Sequence, residues 1–86
     1  MNFKISKHAK DEIKRRRIPI SLVESVLKNP QQIVEEYGNN KAYQSKVDFE
    51  ENKSYLLRVI VNENVIPKKI ITAYRTSKIK KYWRES

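Results

Sequence analysis

Residues 69–83 read KIITAYRTSKIKKYW, and the way this stretch divides decides the fold. Ile70 to Tyr74 is a β-branched apolar run of the kind that forms a buried strand. Arg75 to Lys81 is dense in cations, and Tyr82 and Trp83 close it. One segment therefore joins a core-forming strand to a set of cations and aromatic rings.

Working outward, the chain has 86 residues, which suits one domain with one core spanning 1–86. Hydrophobic residues make up 38% and charged residues 34%. The apolar residues are clustered, which argues against disorder. The single Gly and three Pro favour short connections. The absence of Cys excludes disulfides and thiolate metal sites, and one His gives no basis for a protein-built metal site, so neither metal nor cofactor is expected. No apolar run approaches the roughly 20 residues that span a bilayer. The opening MNFKISKHAK lacks the apolar centre of a signal peptide, so a cytoplasmic location is expected.

The net charge is +9 and the pI is near 9.9, values that suit a polyanionic partner such as nucleic acid, or an acidic protein. The charge is uneven. Residues 7–17 carry six cations and two carboxylates, residues 31–52 two cations and five carboxylates, and residues 76–86 four cations and one carboxylate. A polarised molecule follows if the basic segments converge.

Asn2 to Ile5 reads as a short extended piece. Ser6 is then placed to cap a helix running through Arg17, with Ile5, Ala9 and Ile13 on its buried stripe. His8, Glu12 and Arg16 flank that stripe. Cations at its end favour the helix dipole, or contact phosphate. Ile18-Pro19-Ile20 breaks it. Ser21 and Glu24 match a capping box for a second helix, Leu22 to Lys28, which Asn29-Pro30 ends. The two are expected to form a helical hairpin. The period then changes to two. Strands are expected at Gln32–Tyr37, around Tyr43–Phe49, at Tyr55–Val61 and at Ile70–Arg75, with turns at Gly38-Asn39-Asn40, Glu51-Asn52 and Asn62-Glu63-Asn64. Thr76 or Ser77 would cap a short terminal helix through Trp83. The expected class is α+β: a helical hairpin on one face of a four-stranded antiparallel sheet, with polar side chains displayed on the other.

No nucleophile elbow, phosphate-binding glycine loop or metal signature is present, so any chemistry rests on single residues. Arg58 interrupts the apolar run Leu56-Leu57-Arg58-Val59-Ile60. It must reach solvent, a ligand, or a partner, either Asp48 or a glutamate on the neighbouring strand. Arg75 ends the last strand. Lys78, Lys80, Lys81 and Arg84 could follow a phosphate backbone. Tyr82 could stack on a base or donate a proton, and Trp83 could dock the tail. His8, the one histidine, is either a general acid–base or a structural hydrogen-bonding group.

His8-Ala9, Arg16, Ile18, Asn29-Pro30, Ile71-Thr72-Ala73-Tyr74, Thr76-Ser77-Lys78 and Tyr82 together resemble a small bacterial family similar to the BrnT and RelE/ParE toxins of type II toxin–antitoxin systems. Glu12 departs from that pattern where an arginine is usual, and Arg17 where a glycine is usual. The resemblance implies a RelE-like fold. It also implies a metal-independent endoribonuclease acting on messenger RNA, associated with the ribosome and neutralised by a cognate antitoxin. Under it, Arg58, Arg75 and Lys46 would stabilise the phosphate, and Tyr82 or His8 would move protons. Arg16 and the tail cations would bind RNA. The alternatives are a ParE-like inhibitor of DNA gyrase and a non-catalytic RNA-binding module.

Overall fold

Strands and helices follow the periodicities of the sequence in this computed structural model, which describes residues 2–49 and 52–85. The strands are β1 (Phe3–Ile5), β2 (Gln32–Glu36), β3 (Asn40–Phe49), β4 (Lys53–Asn62) and β5 (Lys68–Thr76). The α-helices are α1 (Lys7–Arg15), α2 (Ile20–Lys28) and α3 (Ile79–Tyr82). The sheet runs in the order β1-β5-β4-β3-β2. The pairings of β2 with β3, β3 with β4 and β4 with β5 are antiparallel, and β1 lies parallel to β5.

This corrects the expected four-stranded antiparallel sheet with a helical hairpin. The sheet has five strands and is mixed. The extended piece expected from Asn2 to Ile5 forms β1, but as a fifth strand of the sheet. Its residues pair with Lys68–Ile70, residues far along the chain, and only the folded core brings the two together. Ile5 belongs to that strand and not to the helix stripe. The two helices also do not pair as a hairpin unit: α1 seats on β5, and α2 on β4 and β3.

Helix boundaries have local causes. The Ser6 side chain accepts from the Ala9 N–H at 3.0 Å and caps α1. After α1, Arg17 takes a left-handed backbone conformation with φ 56°. That conformation favours glycine. The capping box at Ser21 and Glu24 does not form. Helix α2 starts earlier, at Ile20 after Pro19, and has no side-chain cap. Proline before the first turn supplies helix-compatible geometry and has no N–H to satisfy. A 3-10 turn at Tyr37–Asn39, with Gly38 at φ 76°, joins β2 to β3. The expected turn at Glu51 lies outside the described residues, while Asn52 is left-handed at φ 59°.

One sheet face is apolar. Ala9 and Ile13 of α1, and Val23, Val26 and Leu27 of α2, pack on Tyr43, Leu57, Val59, Val61, Ile70 and Ala73. Arg16 closes the edge of β5 beyond the end of β1: its Nη1 donates to the Ala73 carbonyl at 2.8 Å and to Thr72 Oγ1 at 3.2 Å. Glu12 holds Arg16 from behind, at 2.9 Å.

A polar clip secures the connection from β4 to β5. The buried Tyr43 hydroxyl donates to the Glu63 carboxylate, and Lys68 Nζ lies 3.5 Å from the same carboxylate. The Tyr43 hydrogen bond, with Lys68 assisting, holds the Glu63 carboxyl below its ordinary value of 4.5 against the effect of burial. A depressed carboxyl stabilises the fold above its unfolded value and loses that contribution as pH falls through the folded one. Urea denaturation at successive pH values should therefore give a stability that drops from the ordinary carboxylate range downward. Glu63→Gln should flatten that acid limb and lower stability at pH 7.

Candidate functional site

The second sheet face carries Ala42 and Gln44 of β3, Leu56, Arg58 and Ile60 of β4, and Tyr74 of β5. Pleating sends alternate residues of each strand to it. Val34, Ala42, Ile60 and Tyr74 make a small apolar patch. At its centre is Arg58, only 2% exposed.

All three guanidinium nitrogens of Arg58 are engaged. Nε donates to Gln44 Oε1 at 2.8 Å, Nη1 to the Tyr74 hydroxyl at 2.6 Å, and Nη2 to Glu36 Oε2 at 2.6 Å. The Glu36 contact is an ion pair whose carboxylate end is about a third exposed. Burial raises the Tyr74 hydroxyl above its ordinary value, and the Arg58 hydrogen bond opposes that rise. Tyr74 therefore stays a neutral phenol and accepts from the cation.

The C-terminal segment closes over this network. The Tyr82 ring centroid lies 4.3 Å from the Arg58 guanidinium carbon and meets Tyr74 edge to face at 6.4 Å. Helix α3 has no buried residue of its own, so polar contacts to its backbone seat it. Gln44 Nε2 donates to the Tyr82 carbonyl at 3.1 Å and to Gln32 Oε1 at 2.8 Å. Gln32 forms a two-point pair with the backbone of Arg84, donating to its carbonyl at 2.6 Å and accepting from its N–H at 3.1 Å. Thr76 Oγ1 accepts from the Lys78 N–H at 3.0 Å, where the chain turns back from β5.

The face expected to lie open is thus covered at its centre, and Arg58 pairs with a carboxylate. The other expected site residues divide between the two sides of the sheet. Lys46 and Tyr82 are on the Arg58 side, where Lys46 Nζ sits 4.1 Å from the Trp83 ring centroid. Lys78, Lys80, Lys81 and Arg84 are exposed along the covering segment, and Lys81 Nζ is 5.3 Å from the Tyr82 ring. Arg75 is on the other side. Its register partner Leu57 packs in the helix-side core, and its guanidinium lies 5.3 Å from the Tyr55 ring. His8 projects from α1 on that same far side, its side chain 71% exposed and its Nε2 3.7 Å from Glu12. Arg16 serves the edge of β5. Among the described residues, no group of three His, Cys, Asp or Glu side chains could hold a metal ion.

Gln32, Glu36, Gln44 and Tyr74 carry the network and were not singled out by sequence. Gln44 alternates with Lys46 and Asp48 as though facing water. The available signal was Arg58 itself: a charge in an apolar run needs partners, and its carboxylate comes from β2, two strands away, across Gln44 of β3. Which partners it meets depends on register.

Arg58→Met should lower stability by about 3 kcal/mol in urea denaturation, because it leaves Glu36 and Gln44 without their donor. Arg58→Met with Glu36→Met should recover part of that loss. An equal or greater loss in the double variant would contradict the pairing.

No curated protein matches this chain, and no solved structure does. A family model described as a domain of unknown function, DUF4258, matches residues 5–75. The match takes in β2 to β5 and Arg58 and ends before α3. Its share of the chain is well over half, and the chain therefore belongs to the DUF4258 family.

Proposed function

We propose that this domain binds single-stranded RNA through the cations and aromatic rings of its C-terminal segment. The observation that carries the reading is the arrangement of Lys46 beside Trp83, at 4.1 Å, and Lys81 beside Tyr82, at 5.3 Å. Both rings are half-buried, and Lys78, Lys80, Lys81 and Arg84 are exposed around them. Bases stack on such rings with about 1–3 kcal/mol each, and the cations displace counterions from the backbone. The internal Arg58–Glu36 pair supports this surface by seating Tyr82. A net charge of +9 favours association with RNA at long range. A cytoplasmic setting, where RNA is abundant, goes with this reading.

Binding without cleavage accounts for the geometry better than the toxin-type reaction does. Cleavage needs a base at the ribose 2′-hydroxyl, a cation on the phosphate and an acid at the leaving oxygen, all within reach of one another. His8 and Arg75 are across the sheet from Tyr82. The metal-independent endoribonuclease, with a cognate antitoxin as partner, remains a second reading on one observation: the Tyr82 phenol lies against a fixed guanidinium, 4.3 Å away.

The chain has one tryptophan, so its fluorescence reports on this surface alone. A single-stranded RNA octamer should quench Trp83. The double variant Lys80→Ala, Lys81→Ala should reduce the salt slope of binding by about 1.4, from 0.7 per phosphate contact. Unchanged fluorescence at saturating RNA would sink the proposal. The same samples, run on a gel in the presence of a chelator, distinguish the second reading: RNA cleavage that disappears in Tyr82→Phe would establish it.

A further inference from the structure

The covered face extends well beyond the C-terminal segment. Toward β1 it ends in two lysines that are register partners, Lys4 of β1 and Lys69 of β5. Phe3, Ile5 and Ile70 face the helix-side core, so pleating places Lys4 and Lys69 together on the Arg58 side. Asn62 of β4 is the next partner of Lys69 on the same row.

Like charges directly opposite one another on a sheet destabilise it. Both lysines are exposed, and neither forms an ion pair among the described residues. Of the strand carboxylates on this face, Glu36 pairs with Arg58, and Asp48 accepts from the Ser54 hydroxyl; neither forms an ion pair with Lys4 or Lys69. Glu63, in the adjoining loop, is held by Tyr43 and Lys68. The face therefore presents unneutralised positive charge at its β1 end and again at Lys46, Lys80 and Lys81.

We infer that Lys4 and Lys69 form a second phosphate subsite for the same RNA strand, so that the strand crosses the sheet from the C-terminal segment to β1. This rests on the RNA-binding reading and adds a footprint to it. Lys69 and Tyr74 are partners of Asn62 and Arg58 on β4, four residues apart because β5 carries an extra residue between them, which is roughly 13 Å at about 3.3 Å per residue. With a phosphate about every 3.4 Å of stacked strand, that distance takes about four nucleotides. A trinucleotide cannot reach from the Trp83 surface to Lys4 and Lys69, whereas an octamer can. The side chains between the two ends, Thr72 and Tyr74 among them, are neutral. Phosphate is thus gripped at both ends, and the strand is carried between them.

The test measures binding of fluorescently labelled RNA by anisotropy against salt concentration, for an octamer and for a trinucleotide without terminal phosphates. The double variant Lys4→Ala, Lys69→Ala should reduce the octamer's salt slope by about 1.4 and leave the trinucleotide's unchanged. Its melting temperature should equal or exceed wild type, because a like-charge pair is removed. The variant Lys80→Ala, Lys81→Ala should lower both slopes. An unchanged octamer slope overturns the subsite. So does an equal loss for both lengths, which marks a diffuse field. Because anisotropy does not depend on Trp83, octamer binding that needs Lys4 and Lys69 but leaves Trp83 unquenched would uphold the subsite and sink the C-terminal surface. No RNA binding at all overturns both.

Discussion

A guanidinium inside an apolar strand run cannot remain there without partners, and the second face of this sheet is built around that constraint. Arg58 has its charge met by Glu36, its Nε by Gln44 and its remaining edge by Tyr74. Each partner sits on a different strand, so the ion pair and its hydrogen bonds tie β2, β3, β4 and β5 together across the sheet. Removing water from such a group is costly unless every donor is satisfied. No buried side-chain polar atom among the described residues lacks a hydrogen-bond partner.

The same network determines what the C-terminal segment can do. Gln44 and Gln32 turn their remaining amide groups toward the backbone of Tyr82 and Arg84, and Arg58 offers its flat face to the Tyr82 ring. The segment is thereby docked by its backbone and one ring. Its lysines point outward, and a tail that would otherwise be a loose cationic extension becomes a shaped surface. The two sheet faces divide the work. Helices α1 and α2 bury the apolar face and supply most of the core, and the polar face positions charge.

Much of this was legible in the residues. The change from helical to alternating period after Pro30 marked where helices give way to strands, and Ser6 marked the start of α1. The apolar stripes on α1 and β4 identified most of the core. Arg58 and the C-terminal aromatic residues stood out as the groups needing explanation. Other features were not legible. The extended piece at β1 was expected, but its parallel pairing with β5, which joins distant parts of the chain, was not. The capping box at Ser21 and Glu24 was a local pattern overridden by Pro19 two residues earlier, where the helix begins. Gln44 and Glu36 read as ordinary outward-facing polar residues, because alternation assigns a face and says nothing of what covers it.

By itself, the sequence determined the class of elements, the strong positive charge, the lack of thiol chemistry and the presence of one cation within an apolar run, since these follow from composition and short-range periodicity. The tertiary structure decided the rest. Residues 69–83 divide into β5, a turn at Thr76–Lys78 and α3, and folding the last part back over Arg58 converts its exposed cations into one surface. The same folding places Arg75 and His8 behind the sheet, apart from Tyr82 and Lys46. Side chains alternate between faces along each strand, except where the irregularity opposite Ile60 and Val61 inserts an extra residue in β5, so one residue's difference in register sends a group to the opposite face. Register is set by long-range pairing, which no local pattern in the chain encodes.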